Sequence, residues 1–188
     1  MVRSQAKPPS QIGRRIAVVG TTGSGKTTLA RQLAQSLALK HVEIDALHWG
    51  PEWTPVSDDL FRQRVHEALQ VDSWVTDGNY RKVRDIIWSQ AETIVWLDYP
   101  LTVILWRLFW RAVRRTMRRE LLWGTNQETW RKQFFSRDSL FVWALQTHKR
   151  HRREYPVFFV RPEHAHLRVV HLRSVRETKK WLVEVTAA

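Results

Sequence analysis

Two rhythms of apolar residues alternate along this chain. Ile16-Ala17-Val18-Val19 is a continuous run, the pattern of a strand buried on both faces of a parallel sheet. From Lys26 the period lengthens: Leu29, Leu33 and Leu37 recur with Ala30, Ala34 and Ala38 beside them, which puts one apolar face on a helix. The same reading continued along the chain predicts strands over residues 15–19, 41–44, 74–76, 93–97 and 168–171. Helices are predicted over 26–39, 58–71, 101–119, about 128–153, and 175–185. Pro100 suits the first turn of its helix, and Ser174-Val175-Arg176-Glu177 forms a capping box for the last. Strands alternating with helices predict right-handed βαβ units and an α/β sandwich of three layers around a parallel sheet. Residues 121–161 break the alternation with helices only, which marks them as an insertion, lid or binding surface.

At 188 residues the chain is sized for one domain. Residues 1–13 read as a loose tail, 14–188 as the domain, and about 112–161 as its helical lid and basic region. The longest apolar run, 101–110, contains Arg107 and is too short to span a bilayer. The N-terminus lacks the apolar stretch of a secretory signal, and cysteine is absent, so a cytoplasmic protein without disulfides is expected. Charge changes the picture more. The net charge is +13, and residues 107–153 hold 13 Lys/Arg against Glu120, Glu128 and Asp138. Such a field attracts polyanions: nucleotides, nucleic acid or an acidic surface. Eleven tryptophans fall mostly at core spacing and point to no particular ligand.

The chemistry begins at Gly20-Thr21-Thr22-Gly23-Ser24-Gly25-Lys26-Thr27, a full match to G-x-x-x-x-G-K-[ST] between a predicted strand and a predicted helix. In that context the backbone N–H groups, continuing through Thr28, wrap phosphate oxygens. Lys26 reaches the β- and γ-phosphates, and the Thr27 hydroxyl holds Mg²⁺. ATP and Mg²⁺ are therefore the expected cofactors. A second acid is needed at the C-terminal end of a neighbouring strand, where open α/β sheets bind ligands. Asp77, in Trp74-Val75-Thr76-Asp77-Gly78, is favoured over Asp98, which also reads as a helix N-cap before Pro100.

Asp45 ends the second predicted strand and reads either as an acceptor base or hydroxyl anchor, or as another N-cap. His48 reads as an acceptor-side residue or as packing among aromatics. Trp49 and Trp53 flank Gly50-Pro51-Glu52 and either stack a base or sugar or staple the loop. Arg107, Arg111, Arg114, Arg115, Arg118 and Arg119 share one predicted helix. Arg107 and Arg111 are placed to neutralise a transferring phosphate, and Arg118 and Arg119 to form a solvated face. Trp123 to Glu128 reads as a turn opening a helix, and His148 to Arg153 as a basic cluster whose two histidines make a poor metal pair.

The segments GTTGSGKT, HVEIDALHW, WVTDGNYR and IVWLDYPLTVILWRLFWR resemble the adenylate-kinase-related proteins known as DNA topology modulation proteins. The resemblance covers about residues 15–182. It implies a P-loop kinase fold with a five-stranded parallel sheet of order 2-3-1-4-5 and a mobile lid. It also implies that Arg81, matching the arginine of a D-G-x-P-R segment in which Tyr80 replaces the proline, grips the phosphate of an acceptor nucleotide. Arg107 and Arg111 match that group's lid-entry R-x-x-x-R, and the loop after His171 would meet the adenine. The expected activity is transfer of the ATP γ-phosphate to a small acceptor, a nucleotide or nucleoside. The other reading is a nucleic-acid-binding protein affecting DNA topology, with ATP as a switch. No N-K-x-D-like base-reading motif favours a regulatory GTPase.

Overall fold

A computed structural model describes residues 12–51, 54–118, 121–122, 126–127 and 140–187, with the side chains of 115–118, 121–122, 126–127 and 140 left aside. Five strands form one parallel sheet: β1 (Arg15–Gly20), β2 (Lys40–Glu43), β3 (Trp74–Asp77), β4 (Thr93–Leu97) and β5 (Arg168–Leu172). Their spatial order is β2-β3-β1-β4-β5, as the sequence predicts. β1 is central, with Val18 opposite both Asp77 and Val95, so the C-terminal ends of β1, β3 and β4 share one edge.

The continuous apolar run explains why β1 lies inside. Ile16 and Val18 are fully buried on one face with Leu29, Leu33, Ile104 and Leu108; Ala17 and Val19 on the other with Phe61, Trp74, Trp88 and Tyr155. Each fully buried Ile or Val contributes about 1.5–3 kcal/mol relative to exposure. Helices cover both faces: α1 (Lys26–Leu37), α2 (Ile44–His48), α3 (Asp58–Ala68), α4 (Arg84–Gln90), α5 (Leu101–Arg118), α6 (Leu140–Phe159) and α7 (Val175–Thr186). The caps read from sequence are present: Ser174 Oγ accepts from Glu177 N at 3.1 Å, and Glu177 returns a bond to Arg173 N at 2.7 Å. Ser57 likewise caps α3, accepting from Leu60 N at 3.3 Å.

Several elements differ from expectation. α2 and α4 are short helices of five and seven residues, below the length at which an apolar period declares itself. Within 121–161 the structure is not helical throughout, because Leu121–Leu122 pairs antiparallel with Asn126–Gln127. α6 runs past the expected 153 to Phe159 and carries Pro156 in its interior. At the N-terminal end Ile12 packs against the core, and Gly13 N–H donates to Thr93 Oγ1 at 3.3 Å. Trp53, Arg119, Trp123, Gly124 and Trp130 lie outside the described residues, as do 1–11. Among the described residues no helix is long and apolar enough to cross a membrane.

Candidate active site

The P-loop joins β1 to α1 and is shaped by backbone that a side chain would disturb. Gly25 caps α1 at φ 93°, and a Cβ on Gly23 would come within 2.8 Å of Leu108 Cγ, so α5 lies directly on the loop. Lys26 Nζ donates to Thr21 O at 3.2 Å. Burial pulls the Lys26 ammonium below its ordinary pKa; Asp45 and then Asp77 oppose that shift, and Arg111 adds to it. One lysine, two carboxylates and a guanidinium therefore act on one another at the C-terminal edge of the sheet.

Asp77 sits where the sequence places it. The Thr27 hydroxyl donates to Asp77 Oδ2, and His41 Nε2 donates to Oδ1 at 2.8 Å. The carboxylate is 2% exposed. Glu43 stands nearby, its carboxyl pushed up by burial and then by Asp77 and Asp45. A hydroxyl and a carboxylate side by side suit a hard cation that keeps waters and phosphate oxygens as its other ligands. Among the described residues no trio of His, Cys, Asp or Glu forms a metal cage.

Asp98 is committed elsewhere. Arg152 Nε donates to its Oδ1 at 2.6 Å and His171 Nε2 to its Oδ2 at 3.0 Å. His171 in turn stacks flat on Trp96, with ring centroids 4.1 Å apart.

Of the basic helix, Arg107 Nη1 donates to Ser24 O at 2.7 Å while its guanidinium sits 5.2 Å over the Tyr99 ring. Arg111, one turn on, acts on Lys26 as noted above. The two arginines thus flank the P-loop, Arg114 is exposed, and the side chains of Arg115 and Arg118 are outside the description.

On the acceptor side Asp45 lies in the first turn of α2 rather than ending a strand; Glu43 occupies the N-cap position. Tyr80 stands beside it, its hydroxyl pushed up by burial and by the Asp45 charge. His48 is 9% exposed and wedged among Trp49, Phe61 and Tyr80, each ring centroid 4.7 Å away. Burial, and then the charge of Lys82, lowers its pKa, which favours the neutral ring. Trp49 closes the loop through an antiparallel bridge to Pro55. Arg81 is ion-paired: its Nη2 lies 3.3 Å from both oxygens of Glu154 on α6.

Asn79 was not singled out from sequence, and His151 only as one of a poor metal pair. The Asn79 carboxamide binds Gly20 on both sides, accepting from Gly20 N at 3.1 Å and donating to Gly20 O, and it also accepts from Tyr155 Oη at 3.1 Å. His151 is 5% exposed, stacked on Tyr155 at 4.7 Å, with no partner for Nδ1 among the described residues. Burial first, then the charges of Lys26, Arg150, Arg84 and His148, hold its pKa down at about 3. His148 Nε2 donates to Tyr99 O, 3.0 Å away, so the two histidines have separate tasks.

A family model for the central domain of the HerA helicase matches residues 7–46, the stretch that carries the P-loop. The shikimate kinase of Thermosynechococcus vestitus is 33% identical over 110 residues, 51% of this chain and 60% of that one. The shikimate kinase of Synechococcus elongatus is 30% identical over 132 residues, 63% of this chain and 70% of that one. The match thus spans less than two thirds of the first relative's length. The crystal structure of shikimate kinase from Bacteroides thetaiotaomicron aligns with a TM-score of 0.55 at 15% identity, over 92% of this chain and 96% of that one; that likeness is one of fold.

Proposed function

The chain belongs to the shikimate kinase family of P-loop kinases, and from that premise we propose that it transfers the γ-phosphate of ATP to a hydroxyl of a small acceptor. The observation that carries this reading is the convergence on Lys26: Asp45 and Asp77 act on it from the acceptor and metal sides, and Arg111 from the lid side. In this reading the P-loop from Gly20 to Thr28 cradles the phosphates, and Thr27 with Asp77 holds Mg²⁺, which when bound spreads the charge of the phosphate oxygens. Asp45 accepts the proton of the acceptor hydroxyl as its oxygen attacks phosphorus. The bond from phosphorus to the β,γ-bridging oxygen breaks, and ADP leaves. Lys26, Arg107 and Arg111 neutralise the charge that accumulates on the transferring group. In this reading α6 and the C-terminal part of α5 supply the basic wall of the site.

The resemblance to DNA topology modulation proteins implies a nucleotide acceptor, whereas the curated relatives are shikimate kinases. The geometry favours the wider class, because Arg81 faces Glu154 and His48 is packed among aromatics. ADP release with Mg·ATP across nucleoside monophosphates, nucleosides, shikimate and sugar acids, with Lys26→Ala as control, tests the proposal. Acceptor-dependent release that Lys26→Ala abolishes is the expected result; release unaffected by that substitution overturns it.

A second reading rests on a different observation. Trp106, Trp110 and Trp143 are 62%, 50% and 53% exposed on the basic helices α5 and α6. Stacking aromatics beside guanidiniums are how single-stranded nucleic acid is held. Binding of single-stranded DNA whose affinity falls steeply with salt would support it.

A further inference from the structure

The edge strand β2 brings two polar side chains alongside Asp77. Side chains along a strand alternate between faces. Val42 joins the cluster of Phe61 and Trp74 on one face, while His41 and Glu43 fall on the other, where Arg31 of α1 acts on Glu43. Glu43 is the register partner of Asp77, and His41 stands two residues back, opposite Val75. The bond nonetheless comes from the imidazole: His41 Nε2 lies 2.8 Å from Asp77 Oδ1. An ionised carboxylate has no hydrogen to give, so Nε2 carries it and donates. The Asp77 side chain is 3% exposed, so water competes little for that bond.

The other oxygen is taken from α1, because the Thr27 hydroxyl donates to Oδ2. Each oxygen of Asp77 thus has its own donor, and the two together fix the rotation of the carboxylate about its Cβ–Cγ bond. Without the imidazole that rotation loses one of its two anchors, and Glu43, which already feels the charge of Asp77, stands directly across the strand pair. The orientation matters to Thr27 as well. A hydroxyl that gives its single hydrogen to Oδ2 has only lone pairs left for any further partner. Oxygen lone pairs are what a hard cation binds.

We propose that His41 is a positioning residue for the metal side of the site. Its Nε2–H holds Asp77 in the rotation that keeps the Thr27 hydroxyl donating to Oδ2, and so leaves the Thr27 oxygen lone pairs to the Mg²⁺ that accompanies ATP. This assignment rests on the kinase reading of Thr27 and Asp77, and adds to it a residue that acts on the metal only through Asp77.

The test reads the metal without turnover. A fluorescent ATP analogue is titrated into the full chain in excess Mg²⁺ and in excess EDTA, and the ratio of the two dissociation constants measures what the metal adds. His41→Leu cuts that ratio roughly 10-fold, or to one where the wild-type ratio is smaller, while affinity in EDTA stays within about threefold of the wild type. His41→Gln, whose amide carries an N–H at about the reach of Nε2, keeps most of the ratio. In an Asp77→Asn background His41→Leu changes the ratio no further, because its effect passes through that carboxylate. An undiminished ratio in His41→Leu, equal losses in His41→Leu and His41→Gln, or a further loss in the Asp77→Asn background overturns the proposal. So does a wild type that binds the analogue equally well with and without Mg²⁺. Should far-UV circular dichroism show His41→Leu unfolded, His41→Asn, whose amide is one methylene too short, takes its place with the same outcomes. The kinase reading fails separately, if no acceptor supports Lys26-dependent ADP release; the ratio needs no acceptor and decides the role of His41 in either event.

Discussion

Lys26 is held near its working position by opposed forces, and that makes its removal informative. Burial costs the ammonium part of its solvation while Asp45 and Asp77 restore it. Lys26→Ala should lower kcat by about 10²- to 10³-fold, the usual effect of deleting one donor to transition-state charge, as read by acceptor-dependent ADP release. His151 supplies a second residue-scale prediction. Its folded pKa, near 3, lies below the unfolded value of 6.5. Between those limits the unfolded chain binds the extra proton, so this residue's contribution is complete above pH 6.5 and is lost as pH falls toward 3. At pH 5 the loss is roughly 2 kcal/mol relative to neutral pH. Lys26, Arg150, Arg84 and His148 all oppose its protonation. His151→Gln should therefore lose less Tm between pH 7 and pH 5 than the wild type; an identical drop in both would refute the assignment. Residues of the P-loop and Asp77 are legible in the sequence because their chemistry is carried by local spacing. Asn79 is not, since its partners lie far along the chain, and the burial of His151 is not, since it depends on where α6 packs. Nothing near Asn79 in sequence announces that Tyr155 and Gly20 will meet it.

Among elements, strands and long helices were readable because each has an apolar period several residues deep. α2 and α4 escaped for want of length, and with them the surroundings of Asp45 and Arg84. The position of α6 was equally hidden, although its basic composition was plain. That helix contacts the P-loop from two directions, through Tyr155 to Asn79 and Gly20, and through His148 to Tyr99, over which Arg107 sits on its way to Ser24. Asn79→Asp tests the first route with almost no change in size. It replaces the donor to Gly20 O by a charged acceptor, at a cost of about 1–3 kcal/mol. Titration with a fluorescent ATP analogue should show nucleotide affinity weakened roughly tenfold or more while far-UV circular dichroism stays that of the wild type. Tyr155→Phe, which leaves the Asn79–Gly20 bonds in place, should weaken it less. Unchanged nucleotide affinity in Asn79→Asp would remove this link between sheet and loop.

For the molecule as a whole, the formal net charge is +13. Ion pairs such as Arg152–Asp98 and Arg81–Glu154 order individual guanidiniums but are already counted in that net charge. The resulting field steers ATP toward the site and screens away with salt. kcat/KM for ATP should accordingly fall between 50 and 200 mM NaCl by less than about tenfold, whereas binding that neutralises six or more nucleic-acid phosphates would lose about 10³-fold or more over the same range. Measuring both on one preparation distinguishes the two readings. The parallel order and layers follow from alternation alone, but which surface the basic helices present depended on packing that no periodicity encodes.

The way the phosphate loop is held has a consequence for how the pocket comes into being. Its bracing contacts join residues 59, 76 and 83 positions apart, so each must wait for the closure of a long loop. α1 and β1 can take shape locally, but nucleotide affinity arrives only when α5 and α6 have docked. Refolding followed by backbone signal should therefore run ahead of refolding followed by ATP binding. A fragment ending before α6 would keep every letter of the glycine-rich motif and still lack the tyrosine that steadies Asn79.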